Sequence, residues 1–442
     1  MKPKTQLQTQ NKDDFKDTEI GKIPKDWEVV RLGDVSEKMK AGGTPLRSKK
    51  EYYGGNIPFV LIEDITSCNL YLEKTKETIT QKGLDNSNAW IVPVNSLLLS
   101  MYATIGATAI NKIPVATNQA ILAIIPKKKL DVMFGAYILK YHAERLKMHN
   151  IATTQKNVNK GIVENFKIPL PPLAEQKKIA YVLSSVQNAK EKTERVINSL
   201  KELKKSTMKH LFTYGAVSFE DKDKVELKDT EIGKVPKDWE VVRLGDVCEK
   251  MKAGGTPRTT IKEYWENGTI PLVKVEDVVN TNKFLVNANL SITEKGLNMS
   301  SAWLVPENSI LLSMYGTAGE VCINKVSVAI TQNVMGIIKK DNITTEFLYY
   351  ALKYAKIYTL HLISDKTIFT HFSLAKAKNL PIPLPPLAEQ KKISSILSAI
   401  DKKIEAEEHK KEALEQLFKS LLHNLMTGKI RVKDLKMQEV KE

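Results

Sequence analysis

The sequence predicts an α+β chain built by tandem duplication. A mixed α/β domain followed by a long helix occurs twice, and the two helices pair as an antiparallel coiled coil about a pseudo-twofold axis. Three observations predict this. The string IPLPPLAEQKKI stands at 168–179 and again, letter for letter, at 382–393. The segment KDTEIGKIPKDWEVVRLGDVSEKMKAGGTP at 16–45 returns at 228–257 with only Ile23 and Ser36 changed, to Val235 and Cys248. After each proline string, no proline or glycine interrupts the chain until Gly215 or Gly428.

The matched segments fix the period. The opening repeats at an offset of 212, AWIVPVNSLLLSMYATIG (89–106) meets AWLVPENSILLSMYGTAG (302–319) at 213, and the proline string returns at 214. Single-residue insertions account for the drift. A period of about half the chain is a duplicated module rather than a solenoid repeat.

Upstream of each proline string, short runs rich in Val, Ile and Tyr lie between Gly, Pro and Asn. WEVVRL, IPFVLI, WIVPVNSLLLSMY and AILAII read as strands, with helices near 132–148 and 345–359. Downstream, Pro172 and Pro386 suit a first helical turn, where a missing N–H costs nothing. Glu175 and Glu389 place negative charge near the positive end of the helix dipole. Gly215 and Gly428 suit the stop. Each tail is one helix of about forty residues, roughly 60 Å long.

The helices carry an apolar stripe. Ile393, Leu397, Ile400 and Ile404, then Leu414, Phe418, Leu421 and Leu425, follow 4-3 spacing with a break at Glu407 and Lys411. Ile179, Leu183, Val186, Ile197, Leu200 and Leu211 keep the same rhythm in the first copy. Such a stripe wants a partner helix, and the other copy supplies it. Each helix folding back on its own domain is the alternative, disfavoured because helices this long overhang a domain of about 170 residues. The expected divisions are 1–171 and 215–385 for the mixed domains, 172–214 and 386–428 for the helices, and 429–442 for a tail.

Composition narrows the function. The 442 residues suit more than one domain, and 42% hydrophobic with 27% charged residues is ordinary for a globular protein. Lys+Arg 67 against Asp+Glu 51 gives +16, which points to an anionic partner, nucleic acid before membrane, with a lysine-rich solubilising surface as the equal alternative. Cys68, Cys248 and Cys322 form no CxxC pair, so neither a disulfide framework nor a zinc site is expected, and no His/Cys/Asp/Glu group has metal-ligand spacing. With no signal-peptide pattern and no run of eighteen apolar residues, a soluble cytoplasmic protein is expected.

The Asp-Trp openings (Asp26-Trp27 through Asp34, Asp238-Trp239 through Asp246), the AGGTP turn and IPLPPLAEQKKI before a long helix, all twice over, resemble the specificity subunit (HsdS) of type I restriction–modification systems. The resemblance runs from about residue 16 to 432. It implies two target recognition domains, each reading one half of a split double-stranded DNA site, and two conserved helices that set the spacing. It implies two modification (HsdM) subunits as partners, with restriction (HsdR) subunits joining through the complex. Adenine methylation and ATP-driven cleavage would belong to those subunits, and no cofactor or catalytic residue to this chain. The sequence holds neither a phosphate-binding G-x-x-x-x-G-K-[ST] loop nor the Asn/Asp-Pro-Pro-aromatic tetrapeptide of adenine methyltransferases.

Duplication separates frame from reader. Residues identical in both copies build the fold or hold phosphates; those that differ within a matched frame are candidates for reading bases. After the glycine turn, AGGTPLRSKKEYY (41–53) faces AGGTPRTTIKEYW (253–265). Lys40 and Lys252, Thr44 and Thr256, and Lys50 and Lys262 are expected at phosphates. Arg47, Ser48 and Lys49 face Thr259, Thr260 and Ile261, and Arg258 faces Leu46. Arginine fits guanine as a bidentate pair, whereas threonine offers a methyl and a hydroxyl. Solvated lysines on a structural turn are the equal alternative.

The second stretch, ATTQKNVNKGIVENFK (152–167), faces DKTIFTHFSLAKAKNL (365–380). Thr154, Gln155, Lys156 and Asn157 begin an expected short helix, and Gln155 and Asn157 suit adenine. Lys366, Thr367, Phe369, Thr370 and His371 stand opposite and are chemically unlike them. Tyr102 and Tyr315, in the shared SMY, suit stacking or phosphate contact, with core packing as the commoner role. Trp90 and Trp303 are expected to pack. Two other function classes remain: a coiled-coil adaptor joining two protein-binding domains without DNA, and a single-chain restriction–methylation enzyme, for which the residues outside the copies are too few.

Overall fold

The computed structural model describes residues 8–9, 14–148, 158–359, 373–433 and 435. The chain divides into two compact units, residues 1–194 with 409–442, and residues 195–408. Each unit holds one mixed domain, the first half of that domain's own long helix and the second half of the other helix.

In the first unit a five-stranded sheet runs in the order Ser36–Ala41, Ile121–Pro126, Leu97–Ser100, Thr108–Asn111, Tyr71–Leu72. Only the last pairing is parallel. A four-stranded sheet orders Glu77–Ile79, Tyr53–Val60, Val115–Thr117 and Ile91–Val92. All of Leu97–Ser100 is buried, with Leu97 between Ile110 and Ile124, which is why that run reads as continuously apolar. The second unit repeats both sheets in the same order.

The proline string is a strand before it is a helix. Lys167–Leu170 pairs antiparallel with Glu28–Arg31, Ile168 against Val30, and Pro381–Leu384 pairs with Glu240–Arg243 in the same way. The two sequence segments that repeat most faithfully therefore hold each other. Each string then turns into its helix, Leu173–Tyr214 (42 residues) and Leu387–Met426 (40 residues). The Pro172 carbonyl accepts from the Glu175 and Gln176 amides at 2.9 and 3.0 Å, and Pro386 does the same for Glu389 and Gln390. Gly215 and Gly428 end the helices with φ of +80° and +68°, left-handed values that favour glycine.

Glu175 and Glu389 do more than face a dipole. Glu175 is 3% exposed and accepts from the buried Trp27 indole at 3.1 Å; Glu389 accepts from Trp239 at 2.9 Å. The other carboxylate oxygen takes whatever follows the other helix. Arg431 donates from Nε to Glu175 at 2.6 Å, whereas in the second unit the Ala216 amide donates to Glu389 at 2.9 Å. The neighbouring glutamine is a clamp in both copies. Gln176 accepts from the Asp131 amide and donates to the Lys129 and Pro171 carbonyls, while Gln390 accepts from Thr344 and donates to Asn342 and Pro385. The repeated AEQ thus fastens domain to helix.

Within each unit the helix halves pair antiparallel. In the first, Lys190 lies 4.0 Å from Glu415 and Glu194 2.8 Å from Lys411; in the second, Lys201 reaches Glu408 at 2.8 Å and Lys204 reaches Asp401 at 2.5 Å. The apolar stripe also docks on the domains, so the expected pairing and the disfavoured fold-back occur together. Ile179, Leu183, Phe418, Leu421 and Leu425 join the Trp27 core, and Met208, Leu211, Ile393 and Leu397 join the Trp239 core. Helix ends inserted into a core need not overhang it.

One matched layer differs in kind. The first unit packs Leu70, Tyr137 and Phe418 together, and the Tyr137 hydroxyl has no partner among the described residues. The second unit places Lys283 there, donating to Tyr350 at 3.2 Å and to Ser398 at 2.6 Å, with Tyr350 donating to Asp401 at 2.7 Å. Burial lowers the Lys283 pKa, opposed by Glu346 and Asp401.

The first unit also carries an acid-sensitive group. His142 sits edge-on between Tyr141 and Phe166, and burial, with Arg145 adding, lowers its pKa from 6.5 to about 3. Between those values the unfolded chain takes up a proton that the folded one refuses, so stability falls as the pH is lowered through this window. The slope is at most about 1.4 kcal/mol per pH unit. Urea unfolding of His142→Phe is expected to lose that part of the pH dependence.

Candidate nucleic-acid interface

The glycine turn is forced by a close backbone approach. A Cβ on Gly42 would lie 1.7 Å from the Thr117 carbonyl oxygen, and one on Gly254 1.8 Å from that of Ile330. The following glycine amides, Gly43 and Gly255, donate to those same carbonyls, each at 3.0 Å. So seated, Thr44 donates to Gln119 Oε1 and Thr256 to Gln332 Oε1, both at 2.6 Å. The next residue in each case anchors the SMY loop. Met101 N donates to Ala120 O at 2.8 Å, and Met314 N to Asn333 O at 2.9 Å.

A third contact closes the set in the first unit, where Val158 N donates to Met101 O at 3.3 Å. The glycine turn, the SMY loop and Val158 of the stretch before the proline string therefore meet on one edge of the first domain. The first two meet likewise in the second.

Around this edge Lys40, Arg47, Lys49 and Lys50 are exposed in the first domain, as are Lys252, Thr256, Arg258, Thr259 and Lys262 in the second. Thr44 is half-buried. Lys38 lies 4.4 Å and Lys40 5.7 Å from the Trp90 ring centre, and Lys250 lies 4.4 Å from that of Trp303. The tryptophans pack as expected and also seat a lysine row on the edge strand. Arg47 is engaged within its own domain, 2.8 Å from Glu77 and over the Tyr53 ring, and Lys262 stands 3.8 Å from Glu266. Tyr102 is half-buried against the core, while Tyr315 is 39% exposed. Thr154, Gln155, Lys156, Asn157, Lys366, Thr367, Phe369, Thr370 and His371 lie outside the described residues.

Two features escaped sequence reasoning. Gln119 and Gln332 fix the turn, and their only signal was identity at matched positions. The short helices Ile62–Ser67 and Val275–Asn280 were not expected; the first begins at the last residue of IPFVLI, which reads as a strand. Their signal was an aspartate: Asp64 accepts from the Leu61 amide and Asp277 from the Lys274 amide, each at 2.8 Å, which starts a helix. In the second domain this helix, Thr256, Gln332 and the loop at Gly316 enclose a concavity of about 590 Å³.

The edge offers contact chemistry. Burial pushes the Cys68 thiol up to about 11 and the Cys248 and Cys322 thiols up to about 12, so none is poised as a nucleophile. Among the described residues no group of three His, Cys, Asp or Glu could hold a metal ion, and no helix is long and apolar enough to cross a membrane.

Residues 24–202 and 236–416 each match the family described as "Type I restriction modification DNA specificity domain". The chain belongs to this family and carries its domain twice, as a DNA specificity subunit with two recognition domains. It is 30% identical to the type I restriction enzyme MjaVIII specificity subunit of Methanocaldococcus jannaschii, over 97% of this chain and 99% of that one. It is 29% identical to the MjaIX specificity subunit of the same organism, over 96% and 98%. The fold is similar to that of a type I restriction–modification S subunit from M. genitalium, with a TM-score of 0.57, 17% identity and coverage of 90% and 96%. Membership assigns the chain recognition rather than catalysis.

Proposed function

We propose that residues 1–171 and 215–385 each read one half of a split double-stranded DNA site. The helices 172–214 and 386–428 set the separation of the halves and, with the adjoining domain surfaces, hold two modification subunits. Restriction subunits join through that complex, and adenine methylation and ATP-dependent cleavage are carried out by those partners in the cytoplasm. One observation carries the reading: the same junction, from Thr to Gln to the SMY loop, is built twice, with the Thr–Gln bond at 2.6 Å in both, yet different side chains surround it. We further propose that the two edges meet the duplex in inverted orientation, which suits half-sites about one helical turn, near 34 Å, apart.

Lys40, Lys50, Lys252 and Lys262 supply phosphate contacts, with Thr44, Thr256, Tyr102 and Tyr315 beside them. Arg47, Lys49, Arg258, Thr259 and the two stretches around Gln155 and His371 supply base contacts. Arg47 reaches DNA by exchanging Glu77 for it, a cost of about 0.2–1 kcal/mol for so exposed a pair.

The adaptor reading differs in its response to salt. Titration of a fluorescent duplex with the assembled subunit complex is expected to show log Kd rising with log salt, by about 0.9 for each phosphate contact. A flat response, or no DNA binding, would favour the adaptor.

A further inference from the structure

We infer that the concavity of the second domain, walled by the helix Val275–Asn280, reads base edges of its half-site through Lys274, Val279, Asn280 and Asn333. This rests on the reading of the chain as a recognition subunit and adds to it residues that no repeat or motif had singled out. The concavity opens beside the glycine turn, with Thr256 and Gln332 joined on its wall.

Comparison of the copies separates what must stay from what is free to change. The frame is constant: the Thr–Gln bond measures 2.6 Å in both domains, and Asp64 and Asp277 cap their helices identically. Glu63 and Glu276 also match. Four other groove positions do not. Lys274 replaces Leu61, Val279 replaces Thr66, Asn280 replaces Ser67 and Asn333 replaces Ala120. All four are exposed or half-exposed, so none of these differences repairs a core.

The replacements also form a coherent set. Asn280 and Asn333 bring carboxamides, the groups that pair with both edges of an adenine. Val279, 40% exposed on a polar wall, presents methyl groups suited to a thymine methyl. Lys274 lies 3.9 Å from Glu276, 43% exposed and loosely held, within reach of guanine or a phosphate. In the first domain the matched wall offers a leucine, two hydroxyls and an alanine. Thr66 donates to the Glu63 carbonyl and Ser67 to that of Asp64, so both hydroxyl protons are already used within their own helix. The two grooves share a frame and differ in what they present, as two unlike half-sites require.

The test uses the full chain with its modification subunit and maps methylated adenine by long-read sequencing. The groove residues are exchanged for those of the first copy: Lys274→Leu, Val279→Thr, Asn280→Ser and Asn333→Ala together. The expected result is a change confined to one half of the motif, with discrimination at one or more positions falling about tenfold, the worth of one bidentate contact. Should the fourfold variant give no methylation, Val279→Thr and Asn280→Ser singly, which leave the Asp277 cap intact, are held to the same criterion. An unchanged half-site, or equal changes in both halves, would overturn the assignment. A wild-type chain directing no split motif would instead remove the underlying reading.

Discussion

Replacing Arg431 with alanine is expected to destabilise the first unit by about 3–5 kcal/mol, the range for leaving a buried charge without its partner. The Arg431 side chain is 4% exposed and joins Glu175, itself 3% exposed, to Asp26, at distances of 2.6 to 2.9 Å. Asp26 is 40% exposed and keeps Lys433 at 2.6 Å, which sets the cost nearer the lower figure. Removing the guanidinium strands Glu175 between the Trp27 indole and an empty pocket. The backbone of Ile430–Arg431 pairs with Gln8–Thr9, so the same residue also ties the two ends of the chain to the first domain.

Guanidinium-chloride unfolding followed by tryptophan fluorescence would measure the loss. The second unit, where Ala216 N takes the place of Arg431, should keep its own transition. The Arg431 contact also holds the Asp26 carboxyl well below the usual carboxylate range. A lowered folded pKa gives stability that is present above the unfolded value of 3.8 and lost as the pH falls below it. Arg431→Ala should therefore blunt acid destabilisation below about pH 4, apart from the His142 effect, which begins nearer 6.5.

Replacing Gly254 with alanine is expected to abolish reading by the second domain. The new Cβ would stand 1.8 Å from the Ile330 carbonyl oxygen, a backbone atom that cannot swing aside. The turn must open, which breaks the Gly255–Ile330 and Thr256–Gln332 bonds and withdraws the loop from the groove. The folding cost is about 1–3 kcal/mol, the range for overpacking, while DNA affinity of the assembled complex should fall at least tenfold. Gly42→Ala should do the same to the first domain, because the frame is identical. Binding by the Gly254 variant at wild-type affinity would show that this turn is not part of the interface.

The contrast between those glycines and Arg431 marks what could be read from the sequence. The tandem plan, the helix starts at the prolines and the stops at Gly215 and Gly428 are local signals, and all were legible. The second job of Glu175 and Gln176 was not. Their partners Trp27, Asp131 and Arg431 lie 148, 45 and 256 residues away, and no local pattern encodes such pairings. The layer around Lys283 was hidden for a similar reason, since a lysine between Asn282 and Phe284 reads as surface until Ser398 and Tyr350 are brought to it.

At the interface the AGGTP turn was legible as a turn because glycine pairs have few other uses. The Glu77 partner of Arg47, thirty residues on, was not, and an arginine expected to face bases lies against its own domain. The helices at 62–67 and 275–280 are too short for a period to show, and the Asp64 and Asp277 caps that start them stand outside the apolar runs.

On the proposed function, this chain alone chooses the DNA sequence its complex modifies. Co-expression with the modification subunit, followed by long-read mapping of methylated adenine, tests it most directly. A split motif with methyladenine in both halves, lost when this chain is omitted, is the predicted result. The same methylation pattern from active complexes with and without the chain would contradict it.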